Sequence, residues 1–192
     1  MAAQRWNLDP AHSSIQFTVR HMVISKVRGA FEKWNGVIDF DQDSPEASRV
    51  SVRIDASSID THEPKRDEHL RSADFFDVAN HPEIAFESTR IEKRKGDRYR
   101  VVGDLTIHGT TREVELDAEF LGTGVDPWGG QRIGFQGKAA LSRKEFGLTW
   151  NQVLETGGLL VGDEIEIALD VQAVAAPAEV KDGSREVEEK VA

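Results

Sequence analysis

Residues 12–40 read HSSIQFTVRHMVISKVRGAFEKWNGVIDF, and their periodicity decides the fold. Ile15, Phe17 and Val19 alternate with Gln16, Thr18 and Arg20. Period-two alternation places the apolar set on one face of a strand. The next residue of that parity is His21. Val27, Gly29 and Phe31 share a face in a second strand, and then the phase slips. From there Trp34, Gly36, Ile38 and Phe40 form the apolar set. A slip of this kind predicts a bulge at residues 32–33, which bends and twists the strand. The stretch is therefore a curved hairpin, apolar on one side, with a histidine at the end of the apolar row.

The same one-sidedness recurs downstream. Val50, Val52, Ile54 and Ala56 alternate with polar residues. So do Ile84 and Phe86, then Tyr99, Val101, Gly103, Leu105 and Ile107. Val114, Leu116, Ala118 and Phe120 face away from Glu113, Glu115, Asp117 and Glu119, four acids that require a solvated face. Ile133, Phe135, Gly137, Ala139 and Leu141 lead to Arg143 on the same parity, and the last strand runs from Ile165 to Ala173. One helix is expected, at residues 64–71, where Pro64 suits a first helical position. About eight sequentially connected strands with a single short helix predict an antiparallel up-and-down sheet. Its apolar face must be buried by closure into a barrel or by splitting into a sandwich. Glycines inside the strands, at 29, 36, 103 and 137, favour the barrel, because strand glycines mark tight bends.

Composition narrows the function classes. The 192 residues allow one domain of useful core size, here 1–175, followed by a charged tail over 176–192 expected to be disordered. The absence of cysteine removes disulfides and thiolate chemistry. A formal charge of −10 argues against nucleic acid and against anionic membrane surfaces. No segment reaches the roughly 18 apolar residues of a membrane span, so stable membrane insertion is not expected. The first residues lack the apolar core of about 7–15 residues that a signal peptide needs, so a cytoplasmic protein is expected.

Catalytic and metal signatures are weak. No GxSxG elbow, phosphate-cradling loop or HExxH spacing occurs, and His12, His62 and His69 fall in no recognised ligand pattern. Neither a metal nor another cofactor is expected. An eight-stranded barrel has room for side chains or one small ligand. Parity places Phe17, Val19, Phe31, Ile54, Phe86, Leu105, Phe120, Phe135 and Leu141 on its inner wall. His21 and Arg143 are either rim residues facing water or contacts for a ligand head group; a buried arginine needs an acidic partner or a ligand anion. Arg66 and Asp74, around the helix, read either as a mouth site or as a salt-bridged helix closing the barrel end through Leu70, Phe75 and Phe76. Trp150 and Asn151 read as core packing or as part of the same cavity end as Arg143.

The chain resembles the YceI-like family of lipocalin-like, polyisoprenoid-binding proteins. The resemblance is carried by WNLDPAHSSIQFTVRHM at 6–22, KVRGAFEKWNGVIDF at 26–40 and SSIDTHEPKRDEHLRSADFFDVANHPEIAFEST at 57–89. GDLTIHGTTREVEL at 103–116, SRKEFGLTWN at 142–151 and GGLLVGDEIEIALDV at 157–171 complete it. It implies an eight-stranded antiparallel lipocalin-like barrel around a tunnel that holds a long-chain isoprenoid or similar amphiphile. Many members of the family are exported with a signal peptide, which this sequence does not show. The expected function is non-enzymatic binding, carriage or storage of such a lipid. The alternatives are an enzyme acting on an isoprenoid or quinone-type amphiphile, and a stress-related interaction module. A strand exposed at a barrel gap could pair with a second copy to give a homodimer.

Overall fold

The computed structural model describes residues 3–177 apart from Thr156. The tail expected to be disordered lies, from residue 178 onward, outside the described residues. The strands are β1 (Gln4–Leu8), β2 (Ser14–His21), β3 (Ser25–Phe31), β4 (Trp34–Phe40), β5 (Arg49–Asp55) and β6 (Ile59–Asp60), then β7 (Glu83–Lys93), β8 (Arg98–Ile107), β9 (Thr110–Val125), β10 (Gln131–Ser142) and β11 (Val161–Ala175). Among the described residues one α-helix, α1, spans Pro64–Arg71.

These segments form a closed eight-stranded antiparallel barrel, because three of its staves are broken strands. β1 and β2 run along β11 one after the other, Trp6 opposite Ala175 and Phe17 opposite Ile167. β3 and β4 run beside them, and β5 with β6 make the next stave. β7 to β11 follow in sequence order, and β11 pairs β1 to close the ring. The first break comes at Pro10, which cannot donate a ladder hydrogen bond. Asp9 caps the short turn there by accepting from the Ala11 N–H. The break between β3 and β4 falls at residues 32–33, where the sequence loses phase. It is stitched to the third stave's kink: Glu32 N–H donates to the Ser58 carbonyl and Lys33 N–H to Ser58 Oγ.

The barrel is closed at one end by packed side chains. Trp6, Ile38, Ile91, Tyr99, Phe120, Ile133 and Ala173 are all buried in this cluster. Phe40, Phe120 and Phe135 form its aromatic centre, with ring centroids 5.2–5.3 Å apart. The opposite end is covered by α1 and the residues after it. Glu63 caps the helix by accepting from the N–H groups of Lys65 and Arg66. The buried Asp67 carboxylate accepts from Thr61 N–H and Thr61 Oγ1, anchoring α1 to β6. Arg71 donates to the carbonyls of Ser57 and Ile59.

Strand glycines make room for aromatic rings. At Gly103 a methyl group would lie 2.5 Å from the Glu87 carbonyl oxygen and 2.6 Å from the Phe86 ring. The backbone oxygen cannot move aside without breaking the β7–β8 ladder. Gly103→Ala is therefore expected to destabilise the barrel by about 1–3 kcal/mol. In thermal melts that is a fall in midpoint of roughly 2–12 °C. Gly124→Ala, whose added methyl meets nothing within 4 Å, should leave the midpoint almost unchanged. Equal melting of the two variants would refute this packing role.

Candidate functional site

Between the packed end and the α1 end lies a cavity of about 310 Å³ with an apolar wall. That volume is at the lower end of the roughly 300–1,000 Å³ typical of small-molecule sites. The inward rows of nearly every stave contribute. Phe17 and Val19 come from β2, Phe31 from β3, Ile54 from β5 and Phe86 from β7. Leu105 comes from β8, and Phe135 and Leu141 from β10. Leu70, Phe75 and Phe76 bring the α1 segment onto the same wall, with Phe146 and Leu148 beside Arg143. Ile59, which sequence reading passed over, and Tyr99, from the apolar row of β8, also face the cavity. Among the described residues the buried Tyr99 hydroxyl has no hydrogen-bond partner. Burial, reinforced by the negative charge of Asp97, pushes its pKa above the ordinary phenol value.

The polar residues singled out from sequence are placed differently. His21 does not reach the wall. β11 shifts register opposite the end of β2: Ile165 faces Val19 but Val161 faces His21. His21 is the last residue of β2, and its partner Val161 lines the cavity where His21 does not. Arg143 does touch the wall and is buried, but its guanidinium is fully engaged by the protein. Nε donates to the Gly162 carbonyl at 2.8 Å, and Nη1 to those of Leu148 and Trp150 at 2.6 and 2.9 Å. Nη2 reaches the Val161 carbonyl and Asp163 Oδ1 at 3.4 and 3.3 Å. Burial pulls the Arg143 pKa below the usual arginine value, and the Asp163 carboxylate opposes that shift.

The other five expected contacts also lie off the wall. Arg66 donates to Thr61 Oγ1 and the Thr61 carbonyl, and so belongs to the anchor of α1. Asp74 is exposed and pairs with His69 Nε2 at 2.8 Å. Phe120 sits in the packed end, in ring contact with Phe40 and Phe135, which are the ones that face the cavity. Trp150 packs on His69 and Phe75, with ring centroids 4.7 and 5.3 Å away, and so latches the 143–150 segment to the α1 cover. Asn151 donates to the Val161 carbonyl and accepts from Val161 N–H, clamping the loop that precedes β11.

Barrel, apolar interior and helical cover together define a lipocalin-like β-barrel. The chain belongs to the YceI-like family: residues 6–173 match the YceI-like domain. A UPF0312 protein of Pectobacterium atrosepticum is 40% identical over 148 residues, 77% of each chain. A UPF0312 protein of Vibrio cholerae is 43% identical over 138 residues, 72% of this chain and 73% of that one. Among solved structures, Burkholderia cenocepacia BcnA superposes with TM-score 0.77 at 25% identity, covering 86% of this chain and 99% of that chain. The Campylobacter jejuni YceI protein gives TM-score 0.71 at 31% identity, covering 82% and 90%. A polyisoprenoid binding domain from Saccharophagus degradans shares the fold, with TM-score 0.63 at 14% identity over 91% of this chain and 99% of that chain.

Proposed function

We propose that this protein binds a long-chain isoprenoid or related amphiphilic lipid in its barrel cavity, carrying or storing it without chemical conversion. The observation that carries the reading is the apolar wall, built by inward rows from all around the ring. Such a wall offers a chain van der Waals contact and removal from water, and little that would hold a polar solute. The polyisoprenoid binding domain that shares the fold points to the same ligand class. Carriage is favoured over catalysis because Arg143, the charged residue on the wall, is saturated by backbone carbonyls and Asp163. Equilibrium titration with a fluorescent long-chain polyprenol tests the reading. Saturable one-to-one binding, displaced by unlabelled polyprenol, is the expected result; turnover of the probe would favour the enzyme instead.

In this reading the ligand exchanges with a lipid phase at the α1 end. The β2–β3 turn there exposes Met22, Val23 and Ile24 at 43%, 64% and 87%. Val153 and Leu159, also exposed, stand on the adjoining loop, which is joined to the turn by Met22 N–H to the Leu160 carbonyl at 2.8 Å. Val23 holds a left-handed backbone at φ 66°, a conformation β-branched residues rarely adopt. A combined Met22→Ser, Val23→Asn, Ile24→Ser variant should take up polyprenol from neutral vesicles at least about tenfold more slowly, given some 1.5–3 kcal/mol per buried apolar side chain. Its equilibrium affinity for a short-chain, water-dispersed probe should not change. Unaltered uptake would remove the turn from the exchange route.

Among the described residues no helix is long and apolar enough to cross a membrane. A cysteine-free chain suits a reducing compartment, and the cytoplasm is the place this reading assigns it. A second copy would most easily pair along residues 25–29 of β3, which have β2 on one side and no further strand partner among the described residues. Exposed Lys26 and Arg28 stand on that edge, and charged side chains oppose edge pairing.

A further inference from the structure

The loop after α1 and the β8–β9 turn bring together three groups that spacing in the sequence does not connect. Asp77, His81 and His108 each offer one ligand atom, and these atoms all lie within 4.8 Å of one another. All three residues are half-buried. Among the described residues neither imidazole makes a hydrogen bond, and their rings meet at a centroid distance of 4.7 Å. The Asp77 carboxylate accepts from Asn80 Nδ2 at 2.8 Å through Oδ2. Two half-buried imidazoles without partners, converging on a carboxylate, leave polar capacity that packing alone does not satisfy.

The backbone is arranged to hold them so. His108 and Gly109 form a two-residue turn with φ 51° and 70°, the left-handed pair that tight hairpins require. Gly109 lets His81 lie against the turn, since a methyl there would come within 2.7 Å of the imidazole Cε1. Asp77 is also left-handed, at φ 46°. Its carbonyl accepts from the N–H groups of Asn80 and His81, folding His81 back toward its own side chain.

We propose that Asp77, His81 and His108 form a binding site for a divalent transition-metal ion of the zinc class. Two imidazoles and a carboxylate suit such ions and suit magnesium or calcium poorly. Three protein ligands leave a tetrahedral ion one open position. Ligand bonds of about 2.0–2.2 Å imply ligand–ligand separations of about 3.3 Å in that geometry. The groups need to draw in by no more than about 1.5 Å from their present limit, within reach of side-chain rotation. The site ties the α1 cover to the rim of the barrel and does not depend on what the cavity holds.

Chelator-treated, tag-free protein titrated with zinc chloride in a calorimeter tests the proposal. The expected result is one equivalent bound and a raised thermal midpoint. Asp77→Asn and His108→Asn keep a residue that tolerates the left-handed backbone, so both should fold. They and His81→Gln should each weaken zinc binding by at least about tenfold. His62→Asn, at an exposed position outside the cluster, should bind as the parent does. Absence of saturable binding in the folded parent overturns the proposal. So does binding that survives in all three cluster variants, or that is lost equally in His62→Asn.

Discussion

Arg143→Ala is expected to lower the thermal midpoint of the ligand-free protein by roughly 6–20 °C. The side chain is buried, and its removal strands the carbonyls of Leu148, Trp150 and Gly162, while Asn151 still donates to that of Val161. Each buried acceptor left without a donor costs about 1–3 kcal/mol, reduced where water can enter. Breaking a buried charged node typically costs about 3–5 kcal/mol, and each kcal/mol shifts a domain of this size by about 2–4 °C. The ion pair with Asp163 contributes little of this, because that carboxylate is 42% exposed and screened by solvent. Arg143→Lys keeps the charge but has no planar fork to reach carbonyls on both sides, so it should fall between the two. A head-group role predicts the reverse pattern: weakened ligand binding with an unchanged melt of the empty protein. Melting the empty protein therefore separates the roles.

Affinity should rise with chain length by up to about fourfold per methylene, because each CH₂ removed from water is worth about 0.8 kcal/mol. Across ten carbons the gross effect approaches 8 kcal/mol, reduced by the cost of ordering the chain. The rise should stop when the chain outgrows the cavity, and the plateau then measures its capacity. Head groups should matter far less, since the structure gives the wall an apolar character and leaves Arg143 no free donor directed at a ligand. Competition titrations with prenols of increasing length, and with one length carrying several heads, read both slopes. A flat dependence on length with a steep dependence on head group would contradict the account.

The fold was largely legible because strand periodicity is local. The rows of β2, β8 and β9, and the loss of phase at residues 32–33, follow from which side chains must leave water. The closure of the ring needed more, since alternation is the same in a sandwich, and the pairing of β1 with β11 joins residues from opposite ends of the chain. The site was legible only where a regular strand carries it. Phe17, Phe86 and Leu141 sit on regular stretches and face the cavity. His21 ends β2, and parity does not say how far along the barrel the cavity extends. Phe120 keeps the right parity at a depth where the barrel is filled rather than hollow, and parity carries no depth. Arg143 was legible only as either a rim residue or a head-group contact, because its partners are carbonyls of irregular segments that no sequence pattern marks. Asp77, His81 and His108 belong to two turns joined only by the closed barrel.

The most direct test of lipid binding is organic extraction of the protein purified without heat or detergent, followed by mass spectrometry of the extract. The account predicts a long-chain amphiphile in near-stoichiometric amount, absent from an extract of the same protein delipidated beforehand. A folded protein that yields a clean extract, and takes up no added polyprenol, would contradict it.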